Sequence, residues 1–403
     1  MTSYPPSRRR VLHGSFAAAL VGSLPLSARA EDRIRTVGVI GETDRGGYGH
    51  GLDTVWLGLP GTKIVGLSDP VEAGRTKAVE RLKLAPENAF ADYREMLAKT
   101  KPELVAVCPR HIDQHHDMIL AAIDSGARGL YVEKPFCRDL VEADAIVAAC
   151  EKSGARLALA HRNRYHPVLP VVANLVADGT IGQLLEIRAR GKEDARGGSL
   201  DLWVLGSHVL NLCHYFGGAP LTCSATVKQG GKPLAKSDLK DGAEGIGLLG
   251  GDEIHARFEM EKGFPVFFDS LANAGTREAG FGLQLIGTEG IIDLRGDAEP
   301  LAHLLPGSPF RPVPEPKAWI PVTTAGAGKP EPIGNIRTLV GGHHGPVLDL
   351  IAAIDEKRAP LCSDKDGRTI LEMTMAVFES HRRESAPIGI PLDDRSNPLS
   401  RLQ

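Results

Sequence analysis

Between Arg35 and Ala160, short apolar runs alternate with helix-length segments. This alternation constrains the fold more than any other feature of the chain. The runs are Arg35–Ile40, Lys63–Leu67, Leu104–Cys108, Gly129–Val132 and Arg156–Ala160, and each reads as a buried parallel strand. Between them, Pro70–Leu82, His116–Ser125 and Leu140–Lys152 have the length and polarity of helices. Strands alternating with helices at this spacing predict an α/β Rossmann-type, doubly wound parallel sheet. Ligands of such sheets bind at the carboxyl ends of the strands, so the residues just after each run are the first candidates for a site.

The first of these ends is unusual. Gly41, Gly46, Gly47, Gly49 and Gly51 crowd the link between the first run and a stretch, Leu52–Leu59, that reads as helical. Such a loop lets a pyrophosphate approach backbone N–H groups at a helix N-terminus. The spacing is longer than GxGxxG, and no Lys-Ser/Thr follows to make a phosphate-binding P-loop. After the second run stands Asp69, 28 residues beyond Gly41, where an acid would bond a ribose 2′-hydroxyl and favour NAD. Arg75 nearby leaves NADP open, and Asp69 also reads as a helix cap. Pro109 follows the third run, and Glu133 and Lys134 follow the fourth. After the fifth come His161, Arg162, Asn163, Arg164, Tyr165 and His166, of which Arg162 and Tyr165 are candidate substrate contacts.

From Gln183 the pattern changes. The runs Leu184–Arg190, Leu221–Lys228, Asp252–Met260, Val266–Leu271, Leu283–Leu294 and Ala318–Thr323 predict an α+β domain with a large, mostly antiparallel open sheet. Pro300–Pro332 reads as a long surface loop, and Pro346–Glu356 and Ile370–Ser385 return to helix. The charged, glycine-ended loop from Lys192 to Gly198 could reach sugar hydroxyls. Four segments result: 1–30, a dinucleotide-binding domain at 31–160, a substrate and oligomerisation domain at 161–340, and closing helices with a tail at 341–403.

Glu133-Lys134-Pro135 after a strand resembles the signature of the glucose-fructose oxidoreductase, inositol dehydrogenase and rhizopine catabolism family (Gfo/Idh/MocA). The stretches VAVCPRHIDQHHDMILAAIDSGARGLYVEKPF, VANLVADGTIGQLLEIRARG and LQLIGTEGIIDLRG agree in order and spacing, and so do the closing helices. The resemblance covers about residues 33–392. It implies a nicotinamide cofactor, a sugar, polyol or glycoside as substrate, and a homodimer or homotetramer formed through the open sheet. It places Lys134 between the nicotinamide and the substrate hydroxyl, with Glu133 at the nicotinamide ribose and Pro135 fixing the turn. Val204-Leu205-Gly206-Ser207-His208-Val209-Leu210-Asn211 is similar to the family's Asp-x-Gly-x-His-x-x-Asp segment, which makes His208 the catalytic histidine. Two acids of that segment are absent, at Val204 and Asn211. Asp201, Asp194 and Glu193 are the candidates to replace them, and Asp201 is also a candidate substrate contact. Gly341-Gly342-His343-His344-Gly345 is similar to a Gly-His-Gly-Gly loop in the family's NAD-dependent glycosidase branch, which makes His343 and His344 candidate substrate contacts.

Residues 1–30 read as a twin-arginine secretory signal. Arg8-Arg9-Arg10 precedes an apolar stretch, and Ala28-Arg29-Ala30 supplies small residues for cleavage. The expected destination is the periplasm, reached folded through the twin-arginine export machinery, with no membrane partner in the mature form. Removing this segment takes the formal charge from −3 to −7. That acidic balance and the 5% aromatic content exclude a nucleic-acid footprint. Cys108, Cys137, Cys150, Cys213, Cys223 and Cys362 show no metal-type spacing, and no metal site is expected. Three functions remain open: an exported NAD(P)-dependent oxidoreductase using Lys134 and His208, a redox-neutral glycoside hydrolase or lyase with tightly held NAD, and a non-catalytic dinucleotide-binding protein.

Overall fold

The computed structural model describes residues 33–274, 280–312 and 315–403. The signal segment read at residues 1–30 lies outside the described residues. Six parallel strands form the first sheet: β1 (Arg35–Ile40), β2 (Thr62–Ser68), β3 (Ala89–Phe90), β4 (Leu104–Val107), β5 (Gly129–Val132) and β6 (Arg156–Leu159). Their order is β3-β2-β1-β4-β5-β6, the doubly wound arrangement. The strands of four to seven residues are nearly all apolar because helices cover both faces. The crossovers are α1 (Glu72–Leu82), α2 (Tyr93–Thr100), α3 (His115–Asp124) and α4 (Leu140–Ser153). Asp92 and Asp139 start α2 and α4 by accepting the backbone N–H groups of the first turn.

One expected element differs. Leu52–Leu59 is not an α-helix but a series of turns ending in a short 3₁₀ segment, Val55–Gly58. Gly46, Gly47, Gly49 and Gly51 all have positive φ, which carries the chain round in turns instead of into a helix. The anion site expected at a helix N-terminus is therefore not built here.

After α5 (Leu169–Ala177) the chain enters a second sheet with β7 (Leu184–Arg190). It then forms one helical stretch at 199–217, made of α6 (Ser199–Asp201), a π-turn at Leu202–Gly206 and α7 (Ser207–Gly217). The sheet continues with β8 (Pro220–Gln229), the short β9 (Lys232–Pro233), then β12 (Glu253–Met260) and β13 (Pro265–Leu271), after a separate hairpin of β10 (Lys240–Gly242) and β11 (Gly247–Leu249). It is completed by β14 (Gly282–Gly287), β15 (Gly290–Arg295), β16 (Ala302–Pro306), β17 (Ile320–Thr323) and β18 (Gly326–Ala327), with β19 (Ile388–Gly389) on β8. Among the described residues only β7 and β13 pair in parallel in this sheet, so it is mostly antiparallel, as expected. Leu283–Leu294 folds as the β14–β15 hairpin, turning at Gly287–Gly290. Pro300–Pro332 is not simply a surface loop, because its apolar residues pair β16 with β15 and with β17.

Burial alternates along β8, β12 and β13, so these strands have one covered face. The covering helix is α10 (Asp364–Arg382), whose Met373, Met375, Val377 and Phe378 are buried. The preceding helices α8 (Ile336–Gly341) and α9 (His344–Asp355) lead back to the first sheet, where Val347, Leu350 and Ile354 share a core with Val37, Val39 and Leu104. The last third of the chain thus returns to the carboxyl-end region of β5 and β6.

Candidate active site

Lys134, Glu133, Arg162, His208 and His343 line one cavity of about 340 Å³, together with His50, Ala160, Leu205 and Asp297. Four elements contribute. β5 ends in Glu133-Lys134, β6 leads into Arg162, the π-turn carries Leu205 into His208, and the link between α8 and α9 presents His343.

The π-turn aims the lysine. A widened turn breaks the regular i→i−4 ladder, and the Val204 carbonyl accepts a hydrogen bond from Lys134 Nζ at 3.1 Å. Two of the three donors of Nζ remain for the cavity. Glu133 is almost fully buried and fully engaged. Its Oε2 accepts from the His50 backbone N–H at 3.1 Å and lies 2.9 Å from His50 Nδ1, while Oε1 accepts from the Lys134 N–H at 2.9 Å. Burial would push its pKa up, but the His50 hydrogen bond and the Lys134 charge outweigh it and hold the carboxyl at about 2. Gly49 permits this closure, because a Cβ there would stand 2.4 Å from Glu133 Oε2 and 2.7 Å from the Cys108 carbonyl.

Three imidazoles near the lysine, those of His208, His161 and His343, are held uncharged at neutral pH. His208 and His161 face each other edge to face, with their Nδ1 atoms 3.3 Å apart. Burial, followed by the neighbouring His161 and the Lys134 charge, takes His208 well below its usual pKa. Burial and the Lys134 charge take His161 to about 3, and burial takes His343 to about 4. His343 adopts a left-handed backbone, φ +62°, rare for a residue with a side chain. Its Nδ1 is bonded to the Tyr131 hydroxyl on β5, and its buried Nε2 has no protein partner. Arg162 is clamped by Asp297 through Nε at 2.8 Å and a second contact of 2.6 Å. That clamp ties the end of β6 to the turn after β15.

A second cleft, of about 570 Å³, opens at the carboxyl ends of β1, β2 and β3 between Gly41, Glu42, Ser68, Asp92 and Gln114. Ser68 Oγ is buried there with no protein partner, a hydroxyl suited to a polar ligand. A nucleotide fits this place, where the loop from β1 meets β2 and the start of α3. The glycine-rich loop joins the two clefts, since Gly41 lines one and Gly49 packs on Glu133 in the other. Gly46 lies against the backbone of Arg110, beside Pro109, whose carbonyl lies 2.8 Å from His115 Nε2. Gly47 N–H closes the loop on the Glu42 carbonyl at 2.8 Å.

Several candidates lie elsewhere. Asp69 is completely buried, and its oxygens accept from Thr43 N–H, Thr43 Oγ, Tyr48 Oη and Val71 N–H. It organises the loop and has no free oxygen for a ribose in this arrangement. Tyr165 turns inward and donates to the Cys362 carbonyl at 3.2 Å, so it is not a cleft residue. Asp201 is buried and accepts from Glu193 N–H and Ser270 Oγ, so it supports the Lys192–Gly198 loop from beneath. Lys192 is half-buried in that loop and does not line the cavity. His344 faces Gly58 instead. Asp194 and Glu193 pair with Arg196 and Arg190, and neither joins His208. His50, Asp297, Tyr131 and Ser68 escaped the sequence reading. The Gly-His-Gly setting of His50 and the Gly-Asp turn at Asp297 were their only local signals.

Fold and site together define a dinucleotide-binding type of fold beside a polar, histidine-rich cleft. Residues 35–161 match the family model described as oxidoreductase family, NAD-binding Rossmann fold, so this part of the chain is similar to the NAD-binding domain of the Gfo/Idh/MocA oxidoreductases. Among curated proteins, the chain is 25% identical over 199 residues to the D-apiose dehydrogenase of Paraburkholderia graminis, covering 46% of this chain and 51% of that one. It is 27% identical over 213 residues to the glycosyl hydrolase family 109 protein 1 of Akkermansia muciniphila, covering 49% of this chain and 41% of that one. The matched stretch thus spans about half the length of these relatives. Over 90% of this chain and all of the other, the fold is similar to that of levoglucosan dehydrogenase in its apo form, with a TM-score of 0.69 at 20% identity. The same enzyme in complex with NADH and levoglucosan is similar over 89% of this chain and all of that one, with a TM-score of 0.67 at 18% identity.

Proposed function

We propose that this protein oxidises a secondary hydroxyl of a sugar or polyol. The carrying observation is that Lys134 and an uncharged His208 share one polar cavity next to the glycine-rich loop. NAD, when bound, accepts the hydride. Nζ of Lys134 donates to the substrate oxygen, and His208 takes the hydroxyl proton, which an uncharged imidazole does at neutral pH. Glu133 holds the loop and the Lys134 backbone in place. Arg162 and the unpartnered Nε2 of His343 offer hydrogen bonds to neighbouring hydroxyls, and the cavity's mixture of donors and acceptors suits a neutral polyhydroxyl ligand. The relatives named as apiose and levoglucosan dehydrogenases support a carbohydrate substrate.

The signal segment further supports export as a folded holoenzyme to the periplasm, and the open sheet supports a homodimer or homotetramer. A second reading, redox-neutral glycoside cleavage, is supported by the family 109 relative and by the His343 loop reaching the cavity. Purified protein with NAD and a panel of pentoses, hexoses, anhydrosugars and polyols is expected to raise absorbance at 340 nm. Turnover of an aryl glycoside with no net change at 340 nm would favour the second reading. Neither signal would leave a binding protein.

A further inference from the structure

The family segment that His208 resembles carries acids at the positions held here by Val204 and Asn211, and among the described residues it is an imidazole that faces His208. The nearest acids by sequence are bonded elsewhere: Glu193 to Arg190, Asp194 to Arg196, and Asp201, through Oδ2, to Glu193 N–H and Ser270 Oγ. Asn211 instead donates to Cys362 Sγ at 3.2 Å. What meets His208 is a second imidazole, that of His161, with Nδ1 opposite Nδ1 at 3.3 Å and the rings at 90°.

His161 does not line the cavity with Lys134. It lines a separate small cavity with Pro135, Trp203 and Ser207, in which the Trp203 Nε1 and Ser207 Oγ are buried without protein partners. It stands behind His208 and does not touch the substrate's place.

On the reading that His208 is the base, we propose that His161 is its positioning residue and selects its tautomer in place of a carboxylate. Two facing Nδ1 atoms can share only one proton. His208 Nδ1–H donates and His161 Nδ1 accepts, which leaves His208 Nε2 unprotonated for the substrate hydroxyl. The opposite assignment would put the proton on Nε2 and disable the base. A carboxylate would do the same positioning but would also raise the basicity of His208. A neutral partner does not, so the base stays uncharged to lower pH. The groups that face the pair bear this out. His208 meets His161, Lys134, Arg162 and His50, and His161 meets Lys134, with Glu133 and Asp366 the acids in its surroundings.

The test uses the full mature holoenzyme. His161→Phe keeps a ring but no acceptor, and it is expected to lower kcat about a hundred-fold with KM and bound NAD little changed. His161→Asn, which restores a polar atom near the Nδ1 position, is expected to recover much of the loss. His161→Asp is expected to move the acidic limb of kcat upward by about one pH unit or more, because an adjacent negative charge raises the pKa of His208. A merely structural role would leave that limb where it is. Unchanged kcat in a folded His161→Phe protein overturns the proposal, as does an unmoved limb in His161→Asp. Nitrogen-15 NMR of His208 reads the tautomer without turnover. Protonation on Nδ1 in the wild type, lost in the Phe variant, supports the proposal even if no sugar is oxidised, and protonation on Nε2 overturns it.

Discussion

Lys134 is the residue on which the proposed chemistry turns. Its side chain makes one hydrogen bond, to the Val204 carbonyl, and although its charge helps keep Glu133 ionised, the two His50 contacts and the Lys134 backbone N–H still hold that carboxylate when the side chain is removed. Lys134→Ala is expected to cut kcat about a thousand-fold or more. Thermal stability and NAD retention are expected to stay near wild type, checked by melting and by absorbance of the released nucleotide. The buried imidazoles carry a second expectation. Above about pH 6.5 the fold and the unfolded chain both hold them neutral. As pH falls below that value, the unfolded chain takes up protons that the fold refuses, down to about pH 4 for His343 and about 3 for His161. Stability therefore drops by roughly 1.4 kcal/mol per pH unit for each ring. Urea unfolding at pH 7 and pH 5 measures this, and equal free energies would mean the rings are charged in the fold. Glu133 acts at lower pH. Its depressed pKa stabilises the fold above about pH 4.5, and that contribution disappears as pH falls towards about 2. At this scale, Lys134, His208 and His343 stood out through the family resemblance of their segments, and the fold brings them to one cavity. His161 was visible only as one of several polar residues after a strand, since its partner lies 47 positions away.

Among the elements, the glycine-rich loop shows where local patterns mislead. Its composition announced a nucleotide-binding turn, but positive φ at four glycines prevents the expected helix. Tyr48 instead folds over Gly41, where a Cβ would lie 2.1 Å from the ring, and bonds to Asp69. Asp69 thus became a loop organiser because four donors reach it first. Gly49→Ala tests the loop directly. The new methyl would need a left-handed backbone and would collide with Glu133 Oε2 and the Cys108 carbonyl. A loss of about 2 kcal/mol is expected, with NAD affinity falling at least ten-fold by isothermal titration. The π-turn at Leu202–Gly206 had no sequence signal at all, although it presents the Val204 carbonyl to Lys134.

For the whole molecule, the expected export route makes a clean prediction. With Arg8, Arg9 and Arg10 replaced by Lys, the protein is expected to stay in the cytoplasm. The wild-type periplasmic form is expected to begin near Glu31, read by mass spectrometry, and to carry NAD. A periplasmic Lys variant would remove the twin-arginine reading. The sequence by itself determined the parallel sheet, the second antiparallel sheet and the strand ends where ligands bind. Those follow from residue periodicity and glycine placement, which act over a few positions. Only the tertiary structure decided which polar residues meet. Asp297 reached Arg162, Tyr131 reached His343 and His161 reached His208 across gaps of 47 to 212 residues. Such pairings depend on how α9 and the second sheet fold back onto β5 and β6, and no local pattern encodes that geometry.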